Sequence, residues 1–304
     1  NISHVEFNGS VTGDEGVGGI AGEVNSLGTL HLEQARLNAS VTGSSVFGRV
    51  GGVVGEVAGE TSFDQLRVNA TTSAIAGGTS SSGSVVGYVR NLGRISVNAT
   101  RVTGRVLGGY AGGFVGEPDG ITKITNSSGE LAAINSSSSY AGGFFGEFGS
   151  TGNGSIQDSY LVIEQMHASL NANPIVGNQL HTDDLAVRNS FVRIDERSGD
   201  GTHFDGTTDS TELNGDVVMN TYYNESTTST EFSSSGAMAT KSNLTVLTRG
   251  QMTGAGALAN MSLLSSPAPW ITTDGFPDLA LPAVPRLTFG GDGGGSGDDG
   301  GGSG

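Results

Sequence analysis

Gly51-Gly52-Val53-Val54-Gly55-Glu56 is one copy of a motif that recurs through the first half of the chain. The other copies keep two small residues, two apolar residues and a third glycine: Gly18-Gly19-Ile20-Ala21-Gly22-Glu23, Gly83-Ser84-Val85-Val86-Gly87-Tyr88, Gly112-Gly113-Phe114-Val115-Gly116-Glu117, Gly142-Gly143-Phe144-Phe145-Gly146-Glu147 and a degenerate Asn173-Pro174-Ile175-Val176-Gly177-Asn178. Successive second positions lie 33, 32, 29, 30 and 31 residues apart. A period of about 20–50 residues is typical of stacked repeats, so the motif predicts a repeat architecture.

A second recurring segment alternates apolar and polar residues. In Leu37-Asn38-Ala39-Ser40-Val41, the apolar side chains share one parity, as in a strand with one buried face. Strands joined by glycine-rich turns predict an all-β fold, a parallel β-solenoid whose coils advance by about 4.8 Å. The crossover preference predicts right-handed winding.

The periodicity changes along the chain and divides it into four regions. Residues 1–189 are predicted to be solenoid repeats and residues 190–244 degenerate coils and loops. Residues 245–285 are predicted to form a cap, with a short helix near 254–264 and Trp270 buried at the end of the rod. Residues 286–304 are mostly Gly, Asp and Ser and are predicted to be a disordered tether. That tail is similar to calcium-binding nonapeptides, but it lacks their apolar position, so a linker is the favoured interpretation.

The two apolar positions of the motif have opposite parity. Ile20, Val53, Val85, Phe114 and Phe144 are predicted to stack as an internal column. Two alternatives remain for the following residue. A bulge at the glycines turns it inward as well, or an exposed ridge contacts another part of this chain or another molecule. The ridge would consist of Val54, Val86, Val115, Phe145 and Val176.

The motif glutamates occupy the next position along the strand. Glu23 and Glu56, and likewise Glu117 and Glu147, fall on adjacent coils, about 5 Å apart. Salt or a bound cation such as calcium would relieve their repulsion. The favoured alternative is that they are solvated surface acids that splay apart, so no cofactor is expected.

The composition excludes several partner classes. The net charge is −16 with only 14 Lys and Arg, which argues against nucleic acid and anionic membranes because both require clustered cations. The absence of cysteine excludes disulfides and thiolate-bound metals. The sequence contains no signal peptide and no apolar run of 18 residues, so a mature secreted product or a fragment is expected, without a direct membrane span.

Acceptor sequences for N-glycosylation are frequent, which favours an extracellular glycoprotein, although Ser/Thr richness is the simpler explanation. Asn38, Asn69 and Asn98 are spaced by one repeat and are predicted to form an outward column. The sequons comprise 11 of the 19 asparagines: Asn1, Asn8, Asn38, Asn69, Asn98, Asn126, Asn135, Asn153, Asn224, Asn243 and Asn260.

These glycine motifs resemble the GLUG-motif repeat of prokaryotic surface proteins and adhesins. Gly51–Gly55 is the best match, with Val in place of Leu, and the copies with Phe114 and Phe144 also fit. The runs 247–254 and 270–279 look like the segment that closes such arrays. Together with the acidity, this resembles secreted proteins of salt-loving archaea. The resemblance implies a solenoid at the cell surface and brings no catalytic residues.

No catalytic motif is present for phosphate binding, a nucleophilic serine or a zinc protease. The five histidines have no metal-ligand spacing. Asp183-Asp184 and Asp195-Glu196 are the only acidic clusters suited to sugar hydrolysis, but adjacent strand residues point to opposite faces. No enzymatic activity is therefore expected.

The sequence thus predicts a glycosylated structural or adhesive protein of the cell surface. It is expected to self-associate, as in a surface filament, or to contact other surface components or glycans. A polysaccharide-active enzyme and a carbohydrate-binding module are the alternatives.

Overall fold

The computed structural model is a parallel β-solenoid, which confirms the predicted fold class. It describes residues 1–75, 79–179, 185–188, 190–200, 217–219, 222–224, 240–242, 245–247, 249–261 and 270–281. Three long sheets form the sides of the coils, here named sheets A, B and C. All strands of these three sheets pair in parallel with the equivalent strand of the neighbouring coil.

Each of the first three coils contains four strands. They are β1 (Ile2–Ser3), β2 (Glu6–Gly13), β3 (Gly16–Gly18), β4 (Ala21–Val24), β5 (Thr29–Glu33), β6 (Arg36–Gly43), β7 (Arg49–Gly51), β8 (Val54–Val57), β9 (Glu60–Asp64), β10 (Arg67–Ala74), β11 (Ser81–Gly83) and β12 (Val86–Val89).

In the next three coils one long strand replaces the second and third. They are β13 (Arg94–Asn98), β14 (Arg101–Gly112), β15 (Val115–Pro118), β16 (Ile121–Thr125), β17 (Ser128–Gly142), β18 (Phe145–Phe148), β19 (Asn153–Gln157), β20 (Tyr160–Asn173) and β21 (Val176–Gln179).

Described strands beyond residue 180 extend the stack. β22 (Leu185–Arg188), β24 (Val217–Met219) and β26 (Thr240–Ser242) continue sheet A, and β23 (Phe191–Asp200) pairs with β20 in sheet B. β25 (Tyr222–Asn224) pairs with β27 (Thr245–Leu247). The predicted tether at 286–304 lies outside the described residues.

The predicted internal column exists. The backbone N–H groups of Val53, Val85 and Phe114 donate to the carbonyls of Val85, Phe114 and Phe144 in the next coil, at 3.0–3.1 Å. The rings of Phe114 and Phe144 stack with centroids 5.5 Å apart. Equivalent side chains therefore follow one another from coil to coil, and the resulting apolar column forms the centre of the core.

The glycines of the motif are required where backbones touch. A Cβ atom on Gly51 would lie 1.9 Å from the carbonyl oxygen of Val54 in the same turn, and one on Gly52 would lie 2.1 Å from that of Ser84 in the next coil. On Gly55 it would lie 2.3 Å from the amide nitrogen of Val17. The motif is thus a corner where the chain packs against itself, against the next coil and against the neighbouring sheet.

The ridge alternative is wrong. Val54, Val86, Val115, Phe145 and Val176 are all fully buried. The N–H groups of Val53 and Val54 both donate to the carbonyl of Val85, and those of Phe114 and Val115 both donate to that of Phe144. This sharing of one acceptor is a bulge-like corner, which turns two successive side chains into the core.

The C-terminal part contains α1 (Arg249–Met252), α2 (Ala257–Asn260) and the antiparallel pair β28 (Trp270–Ile271) and β29 (Asp278–Leu279). The sequence predicts one short helix near 254–264. The described part of that range contains α2, and a second helix, α1, precedes it. Gly254 begins the turn before α2 with φ +73°, a conformation that glycine adopts without strain. Among the described residues, no helix has the length and hydropathy needed to cross a membrane.

Candidate functional site

The described C-terminal residues 249–261 and 270–281, here named the strap, pack on the outer face of sheet B. Trp270 and Phe276 pack on Tyr160 of β20, with ring centroids 5.6 and 6.1 Å away, and the Tyr160 hydroxyl donates to the carbonyl of Pro277. The strap has its own small core, which also contains Met252, Ala257, Met261, Leu279 and Leu281.

The prediction that Trp270 is buried at the end of the rod is wrong. Trp270 is buried, but against the side of the stack. Polar contacts continue along this side: Asp278 pairs with Arg101 of β14, and the carbonyl of Leu281 accepts a hydrogen bond of 3.0 Å from Arg67 of β10. The strap thus bridges coils along their length instead of covering their end.

A row of arginines lies beside the strap on sheet B. Arg36, Arg67 and Arg101 occupy equivalent positions on three successive strands. Their strands hold them about 4.8 Å apart, so the guanidinium groups repel one another unless anions lie between them. Arg101 has such partners in Asp278 and in Glu130, whose carboxylate is 3.3 Å away.

Next to this row is a groove of about 330 Å³. It is lined by Arg36, Leu37, Asn38, Arg67, Val68, Asn69, Arg101 and Thr103. The side-chain amide of Asn69 donates to the amide oxygen of Asn38 at 3.0 Å. This part of the surface, here named the arginine groove, therefore offers guanidinium and amide groups side by side.

A larger cleft of about 690 Å³ lies between the strap and sheet B. Its acidic lining comprises Glu130, Glu164, Asp195, Asp274 and Asp278, and Arg101 and Thr103 line both this cleft and the arginine groove. The two hollows therefore share a boundary, and together they are here named the flank site. The side chains that line the flank site change from mainly basic to mainly acidic along the solenoid axis.

Glu164 and Asp195 lie opposite each other in the cleft. The pairs Ile163–Ile194 and Gln165–Glu196 flank them in the register of β20 and β23. Asp195 also pairs with Arg193, whose guanidinium lies 5.5 Å from the centre of the Phe276 ring. Of the two acidic clusters found in the sequence, this places one in a cleft, whereas Asp183 and Asp184 lie outside the described residues.

The expectation that the motif glutamates are solvated surface acids holds for Glu23, which is exposed, and is wrong for Glu56 and Glu147. Glu56 and Glu147 are 3% and 4% exposed. Glu56 is neutralised by Arg49 and Arg90, and the Arg49 guanidinium also lies 4.5 Å from the centre of the Tyr88 ring. The corner buries these carboxylates because its tight turn directs them along the sheet surface between neighbouring side chains.

Glu117 and Glu147 form no salt bridge with an arginine in the described part of the chain, although the charge of Arg49 partly offsets the raised pKa of Glu117. Burial raises the pKa of Glu117 to about 7, partly opposed by a 2.7 Å hydrogen bond from Ser81 and reinforced by the charge of Glu147. Burial also raises the pKa of Glu147 to about 7, partly opposed by a 2.9 Å hydrogen bond from Asn178. The pair therefore titrates near neutral pH.

The asparagines that line up on adjacent strands are not the three that the sequence predicts. Asn8, Asn38 and Asn69 are exposed and in register on β2, β6 and β10, but Thr103 follows Asn69 on β14. Asn98 instead lies on β13, where its amide donates to Asp64 at 2.6 Å. Asn98 was therefore assigned to the wrong sheet.

The other sequons are scattered over the surface. Asn1, Asn153 and Asn260 are exposed, and Asn126 and Asn135 are partly buried. Asn224 lies on β25, and Asn243 lies outside the described residues.

Metal chemistry finds no support in the geometry. No group of three or more His, Asp or Glu side chains that could hold an ion exists among the described residues. His31 and His167 each contact a serine of the adjacent coil, Ser62 and Ser198, at 2.6 Å.

Sequence reasoning missed the arginine row. Its signal is present, because arginine precedes Leu37-Asn38, Val68-Asn69 and Val102-Thr103 at the start of three successive strands. The strap side of the site has no such signal, because its contacts join residues far apart in sequence, such as Arg101 and Asp278.

Comparisons with known proteins assign no family to the chain. No family model matches the chain, and a search of curated proteins finds no similar sequence. Among solved structures, the chain is similar to one described as a "putative immunoglobulin A1 protease" from Bacteroides ovatus, with a TM-score of 0.48 and 16% identity. The alignment covers 92% of this chain and 76% of that one.

Proposed function

We propose that this protein is an extracellular structural or adhesive solenoid that contacts its partners through the flank site. One observation carries the proposal: a continuous stack of coils bears on one side a polar site of successive arginines and carboxylates. A stacked backbone ladder is a stiff element. Repeated side chains along its side suit an extended ligand, and self-association into a surface filament remains part of the proposal.

The resemblance to GLUG repeats and the exposed sequons support a surface location. Intact mass of the protein from its native source, before and after deglycosylation, tests this point. A mass equal to that of the bare chain in both samples would contradict the glycoprotein part of the proposal.

Electron microscopy of the purified protein tests the structural part. Filaments or regular end-to-end assemblies are expected over a range of salt concentrations. Dispersed single rods at every protein and salt concentration would contradict the filament and leave adhesion as the role to test.

A second candidate is polysaccharide cleavage in the acidic cleft. It is favoured by the opposed carboxyl groups of Glu164 and Asp195, because glycoside hydrolases use two carboxyl groups across the scissile bond. This candidate predicts release of reducing ends that Glu164→Gln and Asp195→Asn abolish. Saturable glycan binding without release would instead identify a carbohydrate-binding module.

A further inference from the structure

Two arginines of the row lack the anions that the third has. Arg101 pairs with Asp278 and Glu130, whereas Arg36 and Arg67 form no ion pair within the described part of the chain. Arg67 donates only to the carbonyl of Leu281. Like charges directly opposite each other on adjacent strands are destabilising. Both strand neighbours of Arg67 are arginines, whereas Arg36 has Glu6 of β2 in register on its other side, without an ion pair between them. The shortage of anions is therefore greatest at Arg67.

The strap itself shows what such a position accepts. Asp278 brings a carboxylate to Arg101, and Leu281, two residues after β29, brings a carbonyl oxygen to Arg67. A guanidinium is a planar fork that suits carboxylate or sulfate oxygens. Arg67 and Arg36 occupy the same strand position as Arg101, one and two coils closer to the amino terminus. An external anion would therefore fit at Arg67 and Arg36 as Asp278 fits at Arg101.

The neighbouring cleft adds a second requirement. Its carboxylates Glu130, Glu164 and Asp195 act only as acceptors when ionised, so they require donors such as hydroxyl groups. A ligand that spans the flank site must therefore carry anionic groups at one end and hydroxyl groups at the other. An acidic sugar chain has both, whereas a nucleic acid would place phosphates against the acidic cleft.

We propose that the flank site binds a linear acidic polysaccharide, with its carboxylate or sulfate groups on Arg36 and Arg67. Its hydroxyl groups then donate to the carboxylates of the cleft, and Asn38 and Asn69 contact it at the edge of the arginine groove. This proposal rests on the adhesive function proposed above and names its ligand class.

Calorimetric titration of the full chain tests the proposal. The probes are an oligogalacturonate, a neutral maltooligosaccharide of the same length and sodium sulfate alone. The protein is produced in a host without N-glycosylation, so that Asn38 and Asn69 are unmodified. The double variant Arg36→Gln/Arg67→Gln is compared with Arg94→Gln, an exposed position on sheet A that changes the charge away from the site.

The oligogalacturonate is expected to bind the native chain and the Arg94→Gln variant equally, and the double variant at least about tenfold more weakly. Loss of one or two ionic contacts also predicts a shallower salt dependence of binding in the double variant. Equal binding by the double variant would overturn the proposal, as would binding of sulfate alone with the same affinity.

The two proposals fail differently. Binding of the neutral oligosaccharide without a preference for the acidic one overturns the acidic ligand and leaves the adhesive function standing. If neither sugar binds and no assembly is seen, the adhesive function itself fails. A melting temperature within about 2 °C of the native value shows that the double variant is folded.

Discussion

The glycine corner and the strap-covered face of sheet B belong to the same coils but are built in different ways. At the corner, backbone meets backbone, and added Cβ atoms on Gly51 and Gly52 would overlap carbonyl oxygens at 1.9 and 2.1 Å. Under the strap, side chains meet side chains, as between Tyr160 and Trp270. The corner therefore tolerates few residue types and repeats visibly in the sequence, whereas the strap face varies from coil to coil.

The glycine corner and the strap-covered face also differ in how deeply their charged side chains are buried. The corner buries Glu56 between two arginines and raises the pKa of Glu117 and Glu147. The strap face keeps Asp195 38% exposed at its side chain and leaves Arg36 exposed. The corner thus encloses Glu56 and Glu147, whereas the strap face leaves Asp195 and Arg36 exposed.

Replacement of a corner glycine is expected to have the largest effect on stability. Gly52→Ala places Cβ against the carbonyl oxygen of Ser84, and the free energy of unfolding should fall by about 3 kcal/mol or more because the backbone must move in two coils. Denaturant unfolding followed by circular dichroism measures it. Gly9→Ala is the control, since its Cβ would make an ordinary 3.5 Å contact with the Phe7 ring; equal losses would show that the corner is not special.

Removal of the strap anchor is expected to have a smaller and local effect. Trp270→Ala deletes a ring packed on Tyr160, so the strap should lose about 3 kcal/mol of local stability while the solenoid keeps its own. Hydrogen exchange should accelerate in residues 270–281 and stay slow in β14 and β17. Ile271→Ala, at a 46% exposed neighbour, is the matched control. Faster exchange throughout the coils would contradict an independent strap.

The corner carboxylates predict a pH dependence. Glu117 and Glu147 have a pKa of about 7 in the folded chain against an ordinary 4.5, so the folded state holds its protons more tightly. Their contribution to stability is complete below pH 4.5 and is lost as pH rises toward 7. Stability of Glu117→Gln/Glu147→Gln, measured from pH 4 to 8, should lack this decline, while the exposed control Glu60→Gln should retain it. A decline of the same size in the double variant would assign it to other groups.

An exposed turn residue is expected to matter least. Leu92 is 82% exposed between β12 and β13, so Leu92→Ser should change stability by no more than about 0.5 kcal/mol. Val89→Ala, three residues earlier and fully buried, should cost about 2 kcal/mol by the same denaturant measurement. Equal costs would mean that Leu92 makes a contact in solution.

The fold could be predicted because the corner leaves a local signature. Small residues and two apolar residues recur at this corner, and their spacing predicted both the stacked coils and the internal column of Val53, Val85 and Phe114. The inward turn of both apolar residues was one of two open alternatives. The hydrogen bonds that decide it are made between coils and are not visible in one strand.

The register on the opposite side could not be predicted in the same way. Val97-Asn98-Ala99-Thr100 matches Val68-Asn69-Ala70-Thr71 in sequence, yet Ala99 takes the left-handed corner with φ +47° that Gln65 takes one coil earlier with φ +58°. Successive corners at Gln34, Gln65, Ala99 and Asn126 lie 31, 34 and 27 residues apart. Alanine rarely adopts this conformation, so nothing local marked Asn98 as lying before the corner.

The position of the strap on sheet B was even harder to predict from the sequence. Trp270 and one predicted short helix indicated a closing element, but the position of the strap depends on Tyr160 and Arg101, more than a hundred residues earlier. Half of the flank site, the arginine row, could have been found from the repeat position before each asparagine strand. The other half depends on that distant contact.

Because the strap lies along the side of the coils, we expect the two ends of the stack to resist pulling differently. The contacts of the strap join coils from Arg67 in the third to Arg193 in the seventh. Under tension the chain should peel from its amino-terminal coils, one turn at a time, and resist at the coil where the brace begins. A pull from that end would therefore reach Arg36 and Asn38 in the second coil before the coils that the strap joins.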